Sequence, residues 1–242
     1  MSATTLFGTV LTAAVLVTAA GCGGEGGTTR TESPPTAPPT SAGAPPTPTS
    51  AQRPAEFTSK IENVSRSMLR YSWRPGCPVP LSSLRRIEMT YWGFDKKPHT
   101  GHLVVNAGSA GDLVKVFRRL YEQRYPIQRM EPVDVYKGSD FDSIEANNTS
   151  AFNCRQATGS GNWSQHAYGL AVDINPCQNP YVTASGYVAH KHCVKYRNRN
   201  LDHPALIKPG DKVVRAFASI GWNWGGTWSG TKDYQHFSSS GR

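Results

Sequence analysis

Four residues in the last third of the chain have the types and spacing of a catalytic metal site. His166 and Asp173 lie seven residues apart, and Asp233 and His236, about 60 residues later, lie three apart. Two imidazoles and one carboxylate bind zinc and leave a fourth position open for water, whereas structural zinc sites are usually closed by four protein ligands. The extra carboxylate is placed to act as a general base. The pattern predicts metal-assisted hydrolysis.

Each of these residues, taken singly, has a simpler interpretation. A lone histidine beside aromatic residues is more often a packed, hydrogen-bonded side chain than a metal ligand. Asp173 alone could be a turn or cap residue, and Asp233 alone could be a solvated acid. Four suitable residue types within two short motifs favour the metal interpretation.

A short strand and a glycine turn are predicted to position the first pair. Residues 170–174 alternate in the manner of a strand, with Asp173 opposite the side that faces the core. Gly169 lets the chain turn sharply, so that His166 and Asp173 can reach one metal.

The second pair is predicted to straddle the start of a final strand, residues 235–237. Residues three apart on a straight strand face opposite ways, so we place Asp233 in the turn before that strand.

The rest of the domain mixes helical and strand patterns. Residues 57–71 carry apolar side chains at helical spacing, at Ile61, Val64, Met68 and Tyr71. A strand is predicted at 103–105, a helix at 112–123 capped by Asp112, mostly loop at 138–162, and a helix that starts at 210–211 and ends at Gly221. The expected fold is α+β, a compact single domain around a small antiparallel sheet.

The N-terminal region reads as a leader. Residues 6–20 are apolar but too short for a membrane span, which needs about 20 residues. They end in Ala19-Ala-Gly-Cys22, which resembles a bacterial lipobox, although Ala19 stands where Leu is usual and no Lys or Arg precedes the run. We predict a lipoprotein-type signal peptide at 1–21 and a lipid on Cys22; the alternative is a spare thiol in an uncleaved leader.

Residues 22–56 are predicted to be a disordered tether, because their Gly, Thr, Ser, Ala and Pro cannot bury enough apolar surface to fold. The folded domain is therefore expected at 57–242.

Four cysteines remain in that domain, an even number that indicates two disulfides in an exported chain. The sequence permits three pairings, of which we favour Cys77–Cys154 with Cys177–Cys193. A four-cysteine zinc site is disfavoured because the chain has no Cys-x-x-Cys pair.

The formal charge of +9 is spread along the chain. A basic balance suits an anionic partner such as a cell wall or lipid headgroups. No nucleic-acid recognition motif is present, and none is expected in an exported chain. The histidines at 190 and 192 lie in a basic loop and are predicted to be solvated, while His99 and His102 should face opposite sides of a strand.

The motifs of the predicted site resemble those of the M15 zinc peptidases. Residues 164–173 match the pattern Ser-x-His-x-x-Gly-x-Ala-x-Asp, and residues 233–237 match the closing acid-x-x-His motif, with Asp as in the endolysin-like branch. Further similar stretches are Tyr91-Trp-Gly-Phe94, Asn148-Thr-Ser-Ala-Phe-Asn-Cys-Arg155, Asp173-Ile-Asn-Pro176 and Gly221-Trp-Asn-Trp-Gly-Gly226. The resemblance covers roughly residues 75 to 240.

The resemblance implies roles for individual residues. His166, Asp173 and His236 would bind Zn2+ on one face of the sheet of an M15/hedgehog-like peptidase fold, and Asp233 would be the catalytic base. Arg155 would polarise the scissile carbonyl; its alternative role is a surface salt bridge. Ser164 would orient a ligand.

The predicted function is zinc-dependent hydrolysis of amide bonds in peptidoglycan stem peptides, outside the cytoplasm and on a membrane lipid anchor. The Asp-type motif favours endopeptidase cleavage, as at L-Ala–D-Glu, over D,D-carboxypeptidase action. Two other classes stay open: a non-catalytic, zinc-containing wall-binding lipoprotein on the same fold, and a disulfide-stapled lipoprotein without metal. A monomer is expected.

Overall fold

The computed structural model describes residues 56–242, which form a single structural unit. The predicted signal peptide, the lipidation of Cys22 and nearly all of the predicted tether lie outside the described residues. Within the described part, no helix is long and apolar enough to cross a membrane.

A four-stranded sheet forms one half of the domain. Its strands are β1 (Ser59–Asn63), β2 (Leu84–Gly93), β3 (Pro98–Asn106) and β4 (Pro126–Ile127). The first three pair antiparallel in the order β1-β2-β3, and β4 pairs parallel with the end of β2. The predicted strand at 103–105 is confirmed as part of β3.

The other half carries short strands and three helices. The helices are α1 (Ala110–Glu122), α2 (Asp140–Glu145) and α3 (Lys212–Ala218). The remaining strands are β5 (Arg129–Met130), β6 (Asn148–Thr149), β7 (Ala171–Asp173), β8 (Tyr181–Val182), β9 (Asn223–Trp224), β10 (Lys232–Asp233) and β11 (His236–Ser238). A three-stranded antiparallel sheet has the order β7-β11-β9, while β8 pairs with β10 and β5 with β6. The α+β prediction is confirmed.

One hydrophobic core joins the two halves. The apolar face of α1 is fully buried against β2, as its helical periodicity predicts. On the far side, the Phe217 ring of α3 stacks on the Phe237 ring of β11, with centroids 4.1 Å apart. The sheet that holds β11 is therefore anchored directly in the core.

The helices predicted at 112–123 and from 210–211 to Gly221 are confirmed, but one cap is wrong. Asp211 caps α3 as expected, since its carboxylate accepts hydrogen bonds from the backbone N–H groups of Val213 and Val214. Asp112 does not cap α1, because the helix begins two residues earlier, with Ser109 at the cap position. Asp112 lies in the first turn and pairs with Lys115 at 2.8 Å.

The predicted helix at 57–71 is wrong. Residues 59–63 form β1, whose backbone pairs along the edge of β2, and turns follow. Ile61 is 47 % exposed, and Met68 and Tyr71 are also exposed, so the apolar spacing does not mark a buried face. Pairing with a preformed strand outweighs a weak local helical preference.

The segment at 138–162 is mostly irregular, as predicted, but it also contains α2 and β6. Both favoured disulfides are present: Cys77 is bonded to Cys154, and Cys177 to Cys193.

Gly169 is expected to be intolerant of a side chain. Its φ is +67°, and a Cβ there would lie 2.6 Å from the backbone nitrogen of Asn106. We expect Gly169→Ala to lower the free energy of unfolding by about 2–4 kcal/mol, since a left-handed backbone and a backbone clash add together. Urea denaturation measures this.

Gly210→Ala is the matched control, because Gly210 has a φ of +69° but no atom within 4 Å of the added Cβ. It should lose only about 1 kcal/mol. Equal losses in the two variants would contradict the close-packing argument.

Candidate metal centre

Two neighbouring strands bring Asp173 and His236 together. Asp173 of β7 lies directly opposite His236 of β11 in the antiparallel register. Residues opposite one another in such a pair have side chains on the same face. The Nδ1 atom of His236 consequently lies 3.1 Å from Oδ1 of Asp173.

His166 reaches the same point from a turn. It belongs to the 3-10 turn Gln165–Tyr168, which Ser164 caps by accepting a hydrogen bond from the His166 backbone N–H at 3.2 Å. Gly169 ends the turn in the left-handed conformation. The Nε2 atom of His166 lies 3.2 Å from Oδ2 of Asp173 and 3.2 Å from Nδ1 of His236.

The three side chains fit a bound cation. The backbone carbonyl of Ala151 lies 2.5 Å from Nδ1 of His166 and can only accept, so Nδ1 carries the hydrogen. In the neutral ring, the Nε2 lone pair then faces the carboxylate of Asp173. Electron-pair donors this close need a proton or a cation between them.

The spacing of the donor atoms is also that of a zinc site. Ligands about 2.0–2.1 Å from a tetrahedral zinc are about 3.3 Å apart. The two histidine nitrogens are 3.2 Å apart, and each lies 3.1–3.2 Å from a different oxygen of Asp173. All three side chains are buried. Burial would raise the pKa of Asp173, but His166 and His236 hold it well below its ordinary value.

Asp233 lies beside this cluster. The sequence predicts it in a turn before the strand of His236, but it belongs to a separate short strand, β10. It ends β10, opposite Tyr181 of β8, and a bend at Tyr234–Gln235 separates it from β11. The predicted turn is thus a short strand plus a bend. That bend is why two residues three apart can line one cavity.

Close packing holds Asp233 in place. A Cβ on Gly225 would lie 2.6 Å from the Asp233 carbonyl oxygen, so only glycine fits beside it. The Oδ1 atom of Asp233 is buried and has no hydrogen-bond partner among residues 56–242. Burial, helped by the negative charge of Asp173, raises the pKa of Asp233 to about 7; a bound cation would lower it.

Arg155 lies at the same site. It also forms a salt bridge, which is the alternative to its role in catalysis. Its Nε atom lies 2.9 Å from Oδ1 of Asp140, at the start of α2. The preceding residue, Cys154, is tied to Cys77. The guanidinium nevertheless lines the cavity that His166, Asp233 and His236 line, so it can meet a ligand there.

Two cavities meet at this point. The first, here called the main cavity, has a volume of about 290 Å³ and is lined by the two histidines and by polar and aromatic residues, including Trp163, Trp228 and Arg242. The second, here called the side pocket, has a volume of about 260 Å³. Both are lined by Arg155, Thr158, Tyr181 and Asp233, so the two cavities adjoin at these residues and are together called the cleft.

Two contacts at the site join segments that are distant in sequence and do not follow from the motifs. Gln235 donates from Nε2 to Oδ2 of Asp173 at 3.2 Å and so orients that carboxylate. Its position beside His236 in the closing motif was the available signal. Nothing in the sequence pairs Asp140 with Arg155.

The predicted solvation of the histidines at 190 and 192 is wrong for the first of them. His190 is buried, and its Nδ1 lies 2.5 Å from Oε2 of Glu145, while Nδ1 of His192 lies 3.1 Å from Oε1. His192 also lies near Cys177 and Cys193, whose sulfurs are bonded to each other and are not thiolate ligands.

The other two predicted histidines lie away from the site. His99 and His102 pair with Asp95 and Glu88, outside both cavities.

Comparison with known families gives one match. A family model described as D-alanyl-D-alanine carboxypeptidase, of the M15 peptidases, matches residues 158–239. The resemblance to the M15 peptidases is confirmed. The matched M15 segment is about a third of the chain, contains His166, Asp173, Asp233 and His236, and begins after Arg155.

The M15 match supports a hydrolase of the peptidase class. No curated protein and no solved structure was found that matches the chain.

Proposed function

We propose that this protein is a zinc-dependent peptidase that hydrolyses amide bonds in peptidoglycan stem peptides. The observation that carries the proposal is the cluster of three electron-pair donors, His166, Asp173 and His236, beside the buried carboxylate of Asp233, whose Oδ1 has no hydrogen-bond partner among residues 56–242. The M15 match supports the substrate class.

Each residue has a task in this reaction. His166, Asp173 and His236 would hold the zinc, which supplies a Lewis acid and lowers the pKa of water to about 7. Asp233 takes a proton from the attacking water and returns it to the leaving amine. Arg155 donates to the carbonyl oxygen as negative charge develops there, and Asp140 holds the guanidinium in position.

The cleft supports endopeptidase action. A carboxypeptidase needs room for a long substrate on only one side of the scissile bond. Here two cavities, the main cavity and the side pocket, share the residues Arg155 and Asp233, so a peptide held there has room in both. D,D-carboxypeptidase action is the second candidate, because the matching family is described as D-alanyl-D-alanine carboxypeptidase.

We also propose that the enzyme is a monomer that acts outside the cytoplasm, held at the membrane by a lipid on Cys22 and a tether at 22–56. Two disulfides in a domain of this size suit an oxidising compartment. The alternative, a wall-binding protein that has lost catalysis, is disfavoured by the retention of Asp233.

The test compares the purified chain with its Asp233→Asn variant, after zinc content has been determined for both. Each is incubated with defined muropeptides, and the products are identified by mass spectrometry. We expect one zinc per chain in both proteins and a rate about 100- to 10,000-fold lower in the variant. The mass of the fragment identifies the bond cleaved.

Two results would overturn the proposal. If both proteins hold zinc and neither cleaves any stem peptide, the wall-binding alternative replaces it. If the variant cleaves as fast as the wild type, Asp233 is not the base.

A further inference from the structure

The side pocket lies between α2 and the loop closed by the Cys177–Cys193 disulfide. Apart from the residues shared with the main cavity, most of its lining comes from residues 176–190, with Ile144 and Asp140 of α2 opposite. This loop lies inside the matched M15 segment but beyond the residues of the metal-site motifs, and the proposed reaction does not use it.

The walls of this pocket are mainly apolar. Its lining includes Ile144, Pro176, Pro180, Val188 and Ala189. The main cavity is different, because it is lined by Arg242 and by hydroxyl and amide side chains such as Ser160, Asn162 and Gln165. The two halves of the cleft therefore suit different chemical groups.

Charged groups around the side pocket are already paired. Asp140 binds Arg155, and Glu145 of α2 contacts both His190 and His192. Asp233 is the exception, and it belongs to the candidate metal centre. Away from the shared residues Arg155 and Asp233, an added charge in this pocket would have no free partner among the described residues, and burying an unpaired charge is costly. The expected occupant is uncharged.

Covalent and polar contacts hold the walls of the side pocket in place, so the pocket can select a ligand side chain by its shape. The disulfide closes the loop, and the carboxylate of Glu145 holds it to α2 through two histidines. The Phe141 ring lies 4.5 Å from that of His190. Preorganised walls lower the entropic cost of binding, so a matching side chain gains affinity.

We propose that the side pocket is a specificity pocket for an uncharged aliphatic side chain of the peptide that is held at Arg155 and Asp233. With a volume of about 260 Å³, it has room for more than a methyl group. The identity of the peptide rests on the proposed function; in a stem peptide, alanine is such a residue. The polar or acidic neighbour then lies in the main cavity, near Arg242.

Two alanines of the same loop provide a matched test. Ala189 lines the pocket and is exposed, so Ala189→Asp adds a charge there without entering the core. Ala184 is exposed on the same loop but does not line the pocket, so Ala184→Asp is the control. Both changes are made in the full chain, with zinc content determined.

The probes are tetrapeptides of stem sequence in which the alanine beside the scissile bond is kept or replaced by Val, Ser, Lys or Glu. Their dissociation constants are measured by calorimetry in the Asp233→Asn background, and kcat/KM in the active protein. We expect Ala and Val to bind at least about 10-fold more tightly than Lys and Glu. Ala189→Asp should remove that preference, and Ala184→Asp should keep it.

The binding and hydrolysis readouts separate the two proposals. Selective binding that Ala189→Asp abolishes supports the pocket even if no bond is cleaved. Cleavage without any preference between Val and Lys overturns the pocket but keeps the peptidase. Equal effects of the two aspartates, or no peptide binding at all, also overturn the pocket.

Discussion

Replacing His236 by alanine is expected to remove the bound zinc and lower the hydrolysis rate at least about 1000-fold. The Nδ1 atom of His236 lies 3.2 Å from Nε2 of His166 and 3.1 Å from Oδ1 of Asp173. Loss of a single group that stabilises the developing oxyanion already costs about 100- to 1000-fold. This substitution would take away the cation and, with it, the activated water.

Metal content and melting temperature check this result without relying on activity. Zinc at 100 times its dissociation constant stabilises a folded protein by about 2.7 kcal/mol. In a domain of this size, that raises the melting temperature of the wild type by about 5–10 °C. The His236→Ala variant should show no such rise, and a chelator should reverse it in the wild type.

His102→Ala is the control, because His102 pairs with Glu88 outside both cavities. It should bind zinc and respond to it like the wild type. A His236→Ala protein that still holds one zinc and melts higher with added zinc would exclude His236 as a ligand.

Removal of the Cys77–Cys154 disulfide should give the largest loss of stability. The bond joins residues 77 apart in the sequence, whereas Cys177–Cys193 joins residues 16 apart. In the chain-entropy account, a disulfide that closes the longer loop stabilises by about 4.5 kcal/mol and the shorter by about 3 kcal/mol. Replacing both cysteines of each pair by alanine tests the difference.

Urea denaturation of the two double variants provides the comparison. The Cys77→Ala/Cys154→Ala protein should have the lower free energy of unfolding. It should also lose activity before it unfolds, because Cys154 precedes Arg155 in the chain. A greater loss from the Cys177/Cys193 pair would show that packing of its loop, rather than loop closure, dominates.

The parts of the site that lie close in sequence could be predicted. His166 with Gly169, and the strand that carries Asp173, follow from local spacing. The two disulfides needed a choice among three pairings. The register that places Asp173 opposite His236 depends on pairing between segments 63 residues apart, which no local pattern encodes.

The errors have the same cause. The apolar spacing of residues 57–71 is a local signal that predicts a helix, whereas β1 forms by pairing with β2. The basic loop around His190 predicts solvation, whereas its partner, Glu145, lies 45 residues away. Long-range contacts decided each of these cases, and a single sequence does not reveal them.

The candidate metal centre and the hydrophobic core are both built on the β11 strand. His236 points to the donor cluster, while its neighbour Phe237 stacks on Phe217 in the interior. Consecutive side chains on a strand face opposite ways, so three residues serve both purposes. An engineer who repacks the interior around Phe217 would therefore also shift the donor cluster, and variants for heat tolerance should be sought in the first sheet instead.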